Sequence, residues 1–543
     1  MGSTAPDTIR TDVLIVGAGF SGVYALHMIR KLGLSVKLIE KGSGYGGVWH
    51  WNRYPGARVD SEMPTYQLNI PEIHETWNWS CRYPDHHELR AYFAHVAKVL
   101  DLEKDTTFNT LVQGATWEDG EWNIFTQDGP NYVCKYFLPC VGFAFQKHYP
   151  EFRGLENYKG LLVHSAEYPE DLDLKGKRVA VLGNGASGVQ CIQEIAREDC
   201  QLTAFIRNIN TAYPMGQRTF DVFEQNISKS FYDCILRAGR HTASGYPYNP
   251  PSSVRWNELH PEISARLMEN AWRRGGFTFH LSTTGEFVFD KEVNRTFYDF
   301  WKERTRARVS DPVKRDIVAP EQQPYWIGTK RPSLEQYYYE SIDRPNVSVV
   351  DLKKNPIDHF TADGIVTTDG TEHKLDVVLF ATGYDFWTGG LTNMNIRDKN
   401  GLHLKEKWAK GCETHLGLSI PGCPNLFYAY GPQSPAALGS TLPIIETQVE
   451  WICRALSKMK SEGIKYVEPQ AGPAKKWRQT IQDHCSQTLY ADGSNYYIGT
   501  NIPGKPREQL PWIGGTDVYI QRCNEALDGW EGFDVVFDEA PAP

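Results

Sequence analysis

Apolar residues fall into short runs along this chain, and the sharpest is Val13-Leu14-Ile15-Val16. It leads directly into Gly17-Ala18-Gly19-Phe20-Ser21-Gly22 and then Ala25, Leu26, Ile29 and Leu32 at helical spacing. An apolar run, a glycine turn and a 3.6-residue period predict strand, turn and helix. A second strand, predicted over residues 35–39, ends at Glu40, eighteen residues beyond Gly22. A carboxylate at that point can accept hydrogen bonds from a ribose, which completes the layout of a dinucleotide-binding unit.

The pattern returns later in the chain. Residues 178–182 make the strand, Gly183-Asn184-Gly185-Ala186-Ser187-Gly188 the turn, and residues 189–197 the helix. The next strand, 202–206, ends at Arg207 and Asn208 where the first unit has an acid. A guanidinium attracts the 2'-phosphate that a carboxylate repels, so the first unit reads as an FAD site and the second as an NADPH site. Gly17, Gly19 and Gly22, with Phe20 and Ser21 opening the helix, are expected to let backbone N–H groups reach the FAD pyrophosphate. Gly183, Gly185, Ala186, Ser187 and Gly188 are expected to cradle the NADP pyrophosphate in the same way.

From about 216 to 329 the texture changes. Residues 261–275 and 290–310 predict amphipathic helices rich in Arg and Trp, and the Pro/Ser-rich stretch 246–253 lies between elements. Strand-like alternation resumes at 347–351, 364–368 and 377–380, and Ala381-Thr382-Gly383 closes a strand with a turn. The first unit alone has too few strands for a doubly wound sheet, so residues from 386 onward are expected to complete it. The reading is an α/β chain of two discontinuous Rossmann-like domains: FAD over 1–147 and 386–543, NADP over 148–215 and 330–385. Residues 216–329 form a helical insertion in the second. No repeat is evident beyond the two nucleotide-binding halves.

Composition narrows the function classes. A net charge of -9 over 543 residues does not suggest nucleic-acid binding. The 11 cysteines contain no CxxC pair and no Cys/His cluster at ligand spacing, so neither a disulfide framework nor a metal site is expected. No apolar run is long enough to span a bilayer, residues 1–11 are polar, and residues 540–543 carry no targeting address. The cytoplasm is the expected compartment.

The segment Gly46-Gly47-Val48-Trp49-His50-Trp51-Asn52-Arg53-Tyr54-Pro55-Gly56-Ala57-Arg58-Val59-Asp60 resembles the long fingerprint [A/G]GxWxxxx[F/Y]P[G/M]xxxD of the type I Baeyer-Villiger monooxygenases, class B flavoprotein monooxygenases. The resemblance extends through Lys330-Arg331-Pro332, Ala381 to Tyr384, Pro424 to Phe427, Gly431-Pro432 and Asn501 to Lys505. It implies that Gly47, Val48, Trp49, Arg58, Val59, Asp60 and Tyr66 line FAD, with Val112 and Thr441 beside them. It also implies that Lys330 joins Arg207 at the NADP 2'-phosphate. The shorter fingerprint FxGxxxHxxxW[P/D] is met at Gly160, His164 and Pro169, whereas Tyr158 and Tyr168 replace Phe and Trp. Tyr496 stands where relatives often carry a Trp.

The chemistry implied by this resemblance is oxygen insertion into a ketone by a C4a-peroxyflavin, giving an ester or lactone, with O2 and NADPH as co-substrates. Anionic species on that path call for a fixed cation, and Arg331, oriented by Asp60, is the expected catalytic pair. Arginine stays charged at working pH, so it stabilises charge and does not shuttle protons. His164 is expected to pin domains together. An N- or S-hydroxylating flavin monooxygenase is the alternative that Tyr168 raises, and a disulfide reductase would need a cysteine pair that is absent at short spacing. The identity of the ketone and the oligomeric state are not legible.

Overall fold

The computed structural model describes residues 7–248, 254–435 and 439–538. The first sheet takes all six of its strands from the N-terminal quarter of the chain. These are β1 (Thr8–Val16), β2 (Val36–Ile39), β3 (Thr106–Thr107), β4 (Leu111–Glu118), β5 (Glu121–Gln127) and β6 (Asn131–Pro139), in the order β3-β2-β1-β6-β5-β4. β1 pairs parallel with β2 and β6, while β4, β5 and β6 form an antiparallel meander. Val13, Leu14 and Ile15 are fully buried in β1, and each such side chain contributes at most about 1.5–3 kcal/mol.

The expectation that residues beyond 386 complete this sheet is therefore met differently. The meander supplies the strands, because tight turns at Asp119-Gly120 and at 128–130 let 111–139 fold back locally. The C-terminal segment touches the sheet through two bridges among the described residues: Arg397 N donates to Ala115 O at 2.9 Å in β4, and Phe137 N donates to Asn425 O and Phe427 N to Phe137 O, each at 3.1 Å. Its larger contribution is a helix that packs on α1 (Phe20–Arg30), described below.

The second sheet is wholly parallel. It comprises β7 (Leu161–His164), β8 (Arg178–Leu182), β9 (Gln201–Ile206), β10 (Val347–Asp351) and β11 (Val377–Phe380), in the order β10-β9-β8-β11-β7. Helix α2 (Ala186–Ile195) follows β8. β7 lies inside the short fingerprint, where periodicity gave no strand signal. The expected strand at 364–368 is present as Gly364–Thr367, but in a separate antiparallel three-stranded unit.

The elements among the described residues of 216–329 are helices, as expected, including α3 (Pro261–Arg274) and α4 (Lys291–Arg306). α4 starts where the Asp290 side chain accepts from Glu292 N and Val293 N, a cap that satisfies otherwise orphaned donors. Of the expected loop 246–253, Tyr246 and Tyr248 are placed, and 249–253 lie outside the described residues. A long helix of the C-terminal segment, α5 (Thr441–Glu462), is tied to α1 where Tyr24 Oη donates to Glu450 at 2.9 Å.

Candidate active site

One cavity of about 1870 Å³ runs between the two sheets and takes in both glycine turns. α1 and α2 begin at Gly19 and Gly185 with no side-chain cap and no acidic residue in the first turn, unlike α4. Gly19, Phe20 and Ser21 line the cavity at one turn, and Gly185, Ala186 and Ser187 at the other. Uncapped N–H groups and the positive end of the helix dipole favour a phosphate at each turn. A β-carbon added to Gly185 would meet nothing within 4 Å, so the second turn opens into the space a pyrophosphate needs. The chain thus has the space and donors to hold a dinucleotide phosphate at each turn.

The third glycine of each turn does something else. Gly22 and Gly188 do not line the cavity; a β-carbon on Gly22 would lie 1.8 Å from Gly17 O, and one on Gly188 2.2 Å from Gly183 O. These two positions let helix pack on strand and are corrected from phosphate contact to packing.

Gly17, Glu40, Gly47, Val48, Trp49, Arg58, Val59, Asp60, Tyr66, Val112, Gly183, Arg207, Asn208, Lys330, Arg331 and Thr441 all line the cavity. Glu40 follows β2 and is buried; its carboxylate accepts from Ala18 N at 2.8 Å and Gly42 N at 2.6 Å. Each oxygen keeps a lone pair for a ribose hydroxyl. Burial raises its pKa, against those two hydrogen bonds. Trp49 Nε1 donates to Tyr66 Oη at 3.2 Å, which fixes the fingerprint Trp and the Tyr six residues beyond the fingerprint at right angles.

At the NADP end Arg207 is exposed and forms no ion pair among the described residues, so its charge is available. Lys330 is half-buried, donates to Ile209 O at 2.8 Å and has its Nζ 3.9 Å over the Tyr325 ring. With no carboxylate beside it, burial and then Lys353 push its pKa down to about 7.

Arg331 meets Asp60 through two parallel bonds, Nε to Oδ2 at 2.6 Å and Nη2 to Oδ1 at 2.9 Å. This fork geometry adds direction as well as charge. Nη1 donates to Gly439 O at 3.1 Å, and the guanidinium lies 4.5 Å over Phe277. Burial works against the charge, but Asp60 outweighs it, and the Arg331 pKa stands well above its ordinary value.

The fingerprint also grips the second unit. Tyr54 Oη donates to Gln190 Oε1 at 2.9 Å, and Gln190 Nε2 donates to Arg58 O at 3.0 Å. Tyr384 Oη donates to Asn52 at 2.8 Å.

His164 is fully buried: its Nδ1 accepts from Ala166 N, which makes Nε2 the donor to Gly383 O at 3.1 Å. Burial pushes its pKa down to about 4, so it is neutral. It binds β7 to the turn after β11, two neighbours in one sheet, and so braces that sheet edge where a tie between domains was expected. Tyr158 and Tyr168 are buried and do not line the cavity; Tyr158 Oη donates to Leu375 O at 3.1 Å. The two departures from the short fingerprint therefore change packing, away from the reacting centre. Tyr496 lines the cavity with its ring 4.4 Å from Phe386. Phe143 stacks on Trp387 at 5.0 Å, and these rings with Tyr430 and Met394 make an aromatic lobe.

Sequence reasoning missed Gly439 and Tyr246 as neighbours of Arg331, and Gln190 as the link between units. Nothing in their local sequence signals these contacts. Among the described residues His86, His87 and Glu170 bring metal-type ligand atoms within 4.8 Å. Glu170 is already paired with Arg90 and lies 3.8 Å from Arg53, so a cation there would face two guanidinium charges.

A profile of flavin-binding monooxygenase-like proteins matches residues 10–221. The FAD-binding monooxygenase acrE of Aspergillus aculeatus is 40% identical over 535 residues, covering 98% of this chain and 90% of that protein. Cyclopentanone 1,2-monooxygenase of Comamonas sp. is 36% identical over 528 residues, covering 96% of both chains. The crystal structure of cyclohexanone monooxygenase from Rhodococcus sp. Phi1 bound to NADP+ superimposes with a TM-score of 0.93 at 32% identity, covering 98% of this chain and 100% of that one.

Proposed function

The chain belongs to the flavin-binding monooxygenase-like family as a Baeyer-Villiger monooxygenase, and from that premise we propose that Arg331 is its charge-stabilising catalytic residue and Asp60 the group that orients it. The reaction inserts one oxygen atom from O2 into a ketone to give an ester or lactone, with FAD as cofactor and NADPH as reductant. Bound FAD and NADPH supply the hydride transfer and the activation of O2. The observation that carries the residue assignment is the two-bond Arg331–Asp60 pair, lining the same cavity as both uncapped helix starts.

The residues divide the work along the cavity. α1 and Glu40 hold the FAD pyrophosphate and ribose, while α2, Arg207 and Lys330 hold NADP. Arg331 follows Lys330 directly, so a dinucleotide seated on Lys330 also sets the backbone from which Arg331 reaches the reacting centre. Its fixed charge stabilises the negative charge that builds on oxygen as the carbonyl is attacked, a preorganised contribution that needs no rearrangement. The aromatic lobe of Phe143, Phe386, Trp387 and Tyr430 suits an apolar ketone and excludes water from the reacting centre. We place the enzyme in the cytoplasm, in keeping with its eleven free cysteines. No helix among the described residues is long and apolar enough to cross a membrane.

The test is product analysis with FAD-loaded enzyme, NADPH and 18O2 against linear, cyclic and aryl ketones, with an amine and a thioether alongside. Esters or lactones carrying one labelled oxygen are expected. Amine or sulfur oxidation with no ester from any ketone would replace this reading with a hydroxylating one.

A further inference from the structure

Arg331 carries five N–H hydrogens in a planar fork, and partners among the described residues account for four of them. Nε and one Nη2 hydrogen go to Asp60, and one Nη1 hydrogen goes to Gly439 O. The second Nη2 hydrogen points between Ser61 Oγ at 3.3 Å and Tyr246 Oη at 3.4 Å. Both of those contacts are long, but the two oxygens are joined to each other by a 2.7 Å hydrogen bond. Ser61 Oγ also lies 3.5 Å from Asp60 Oδ1, toward which its hydrogen is directed. Either hydroxyl can be the donor in the 2.7 Å bond; because a carboxylate cannot donate, the order consistent with the Asp60 contact is Tyr246 O–H to Ser61, then Ser61 O–H to Asp60. In that order both hydroxyl oxygens turn lone pairs toward Arg331.

Tyr246 is not a casual neighbour. It is fully buried, stacked on Tyr248 with ring centroids 5.4 Å apart, and its backbone is held by Ser244 Oγ and Thr242 Oγ1. The loop that carries it is anchored to α5. Arg240 forms ion pairs with Glu446 and Glu450 at 2.8 Å each, and Ser440 N donates to Ser244 O at 2.8 Å. Ser440 follows Gly439, whose carbonyl takes the Nη1 hydrogen of Arg331. The same anchored loop thus carries Tyr246 and, through Ser244, steadies Ser440 beside Gly439.

We propose that Tyr246 is a positioning residue for the oxygen insertion: through Ser61 it holds the second Nη2 hydrogen of Arg331, so that a single Nη1 hydrogen is left for the oxygen that gains charge. The helical insertion then takes part in the active site as well as covering it. This rests on the assignment of Arg331 above, and the experiment separates the two.

Tyr246→Phe removes the hydroxyl and keeps the ring. In the FAD-loaded enzyme, FAD affinity and the anaerobic rate of flavin reduction by NADPH are expected to stay within about twofold, and the melting temperature within about 4 °C. Ester formation should fall by about 3–10-fold, the effect of one lost hydrogen bond, with the missing electrons recovered as hydrogen peroxide. Ser61→Ala should do the same, and the double variant should be no worse than the poorer single one, because the two act through one link. The Ser61→Ala arm also keeps the test open if Tyr246→Phe fails to fold. In an Arg331→Lys background there is no planar fork to orient, so adding Tyr246→Phe should cost nothing further. An equal cost in both backgrounds, or additive losses with Ser61→Ala, would make Tyr246 a packing residue and overturn the proposal. Full ester yield from Tyr246→Phe overturns it too, while Arg331→Ala still falls. If Arg331→Ala itself keeps full yield, the assignment of Arg331 fails first.

Discussion

The Nζ of Lys330 sits 3.9 Å above the ring of Tyr325, and no carboxylate among the described residues pairs with it. Its pKa of about 7 means that half of the free protein carries the charge at neutral pH. Below that pH the ammonium is already present to meet a 2'-phosphate; above it, binding must take up a proton. The NADPH dissociation constant should therefore rise about fivefold from pH 7 to pH 8, where the phosphate is already a dianion. NADH, which lacks the phosphate, should show no such slope. Titrations of both cofactors between pH 7 and 9, repeated with Lys330→Met, check this; a slope that survives in the variant would assign it to another group.

Arg207 offers an exposed guanidinium just after β9 with no ion-pair partner to displace among the described residues. Arg207→Ala should weaken NADPH binding by about 1.5–3 kcal/mol, the worth of a charged hydrogen bond. NADH kinetics should change far less. Comparing the two cofactors in the same variant is the measurement, and an equal loss with both would make Arg207 structural.

Removing the Arg331 guanidinium leaves Asp60, half-buried, without its partner and the reacting centre without its cation. Ketone oxidation by Arg331→Ala should fall by about 10²–10³, the scale of losing one preorganised donor to a developing oxyanion. FAD should stay bound, because the glycine turn that holds it lies elsewhere. Arg331→Lys should recover only part of the activity, since a point charge cannot make two parallel bonds to Asp60. Stopped-flow reduction under anaerobic conditions, followed by mixing with O2 and ketone, separates flavin reduction from ester formation.

Two glycines of the same motif should behave oppositely. A methyl on Gly22 would sit 1.8 Å from a backbone carbonyl, whereas one on Gly185 would meet nothing within 4 Å. Gly22→Ala should destabilise the fold by about 1–3 kcal/mol or more and lose FAD. Gly185→Ala should fold, stay yellow and bind NADPH less well, because its methyl fills cofactor space. Melting curves and flavin absorbance of the two variants make the comparison.

Much of the architecture was legible because it is local. Strand, glycine turn and helix are contiguous at residues 13–32 and 178–197, and Glu40 and Arg207 follow at fixed distances. Arg331 was legible only through its resemblance to a family motif. What stayed hidden depends on distant segments meeting: Tyr246 lies 85 residues from Arg331, and Gly439 lies 108 away. β7 was hidden for another reason. Leu161-Leu162-Val163-His164 pairs with β11, more than 200 residues on, and four residues are too few to show a period. The roles of Gly22 and Gly188 were misread because a motif records that glycine is needed without recording whether ligand or backbone needs it.

The Gln190 amide holds the Tyr54 hydroxyl with its oxygen and the Arg58 carbonyl with its nitrogen. Amide, phenol and carbonyl form a three-part key, and a change in one leaves a buried polar group of the others unmet. In a library of chimaeras shuffled from homologous parents, crossovers that separate residues 54–58 from residue 190 should be depleted among folded, yellow clones. Crossovers that keep both stretches from one parent should survive at the background rate. Though residues 58 and 190 stand 132 positions apart, these two stretches would be inherited together, as one gene block in a recombination map.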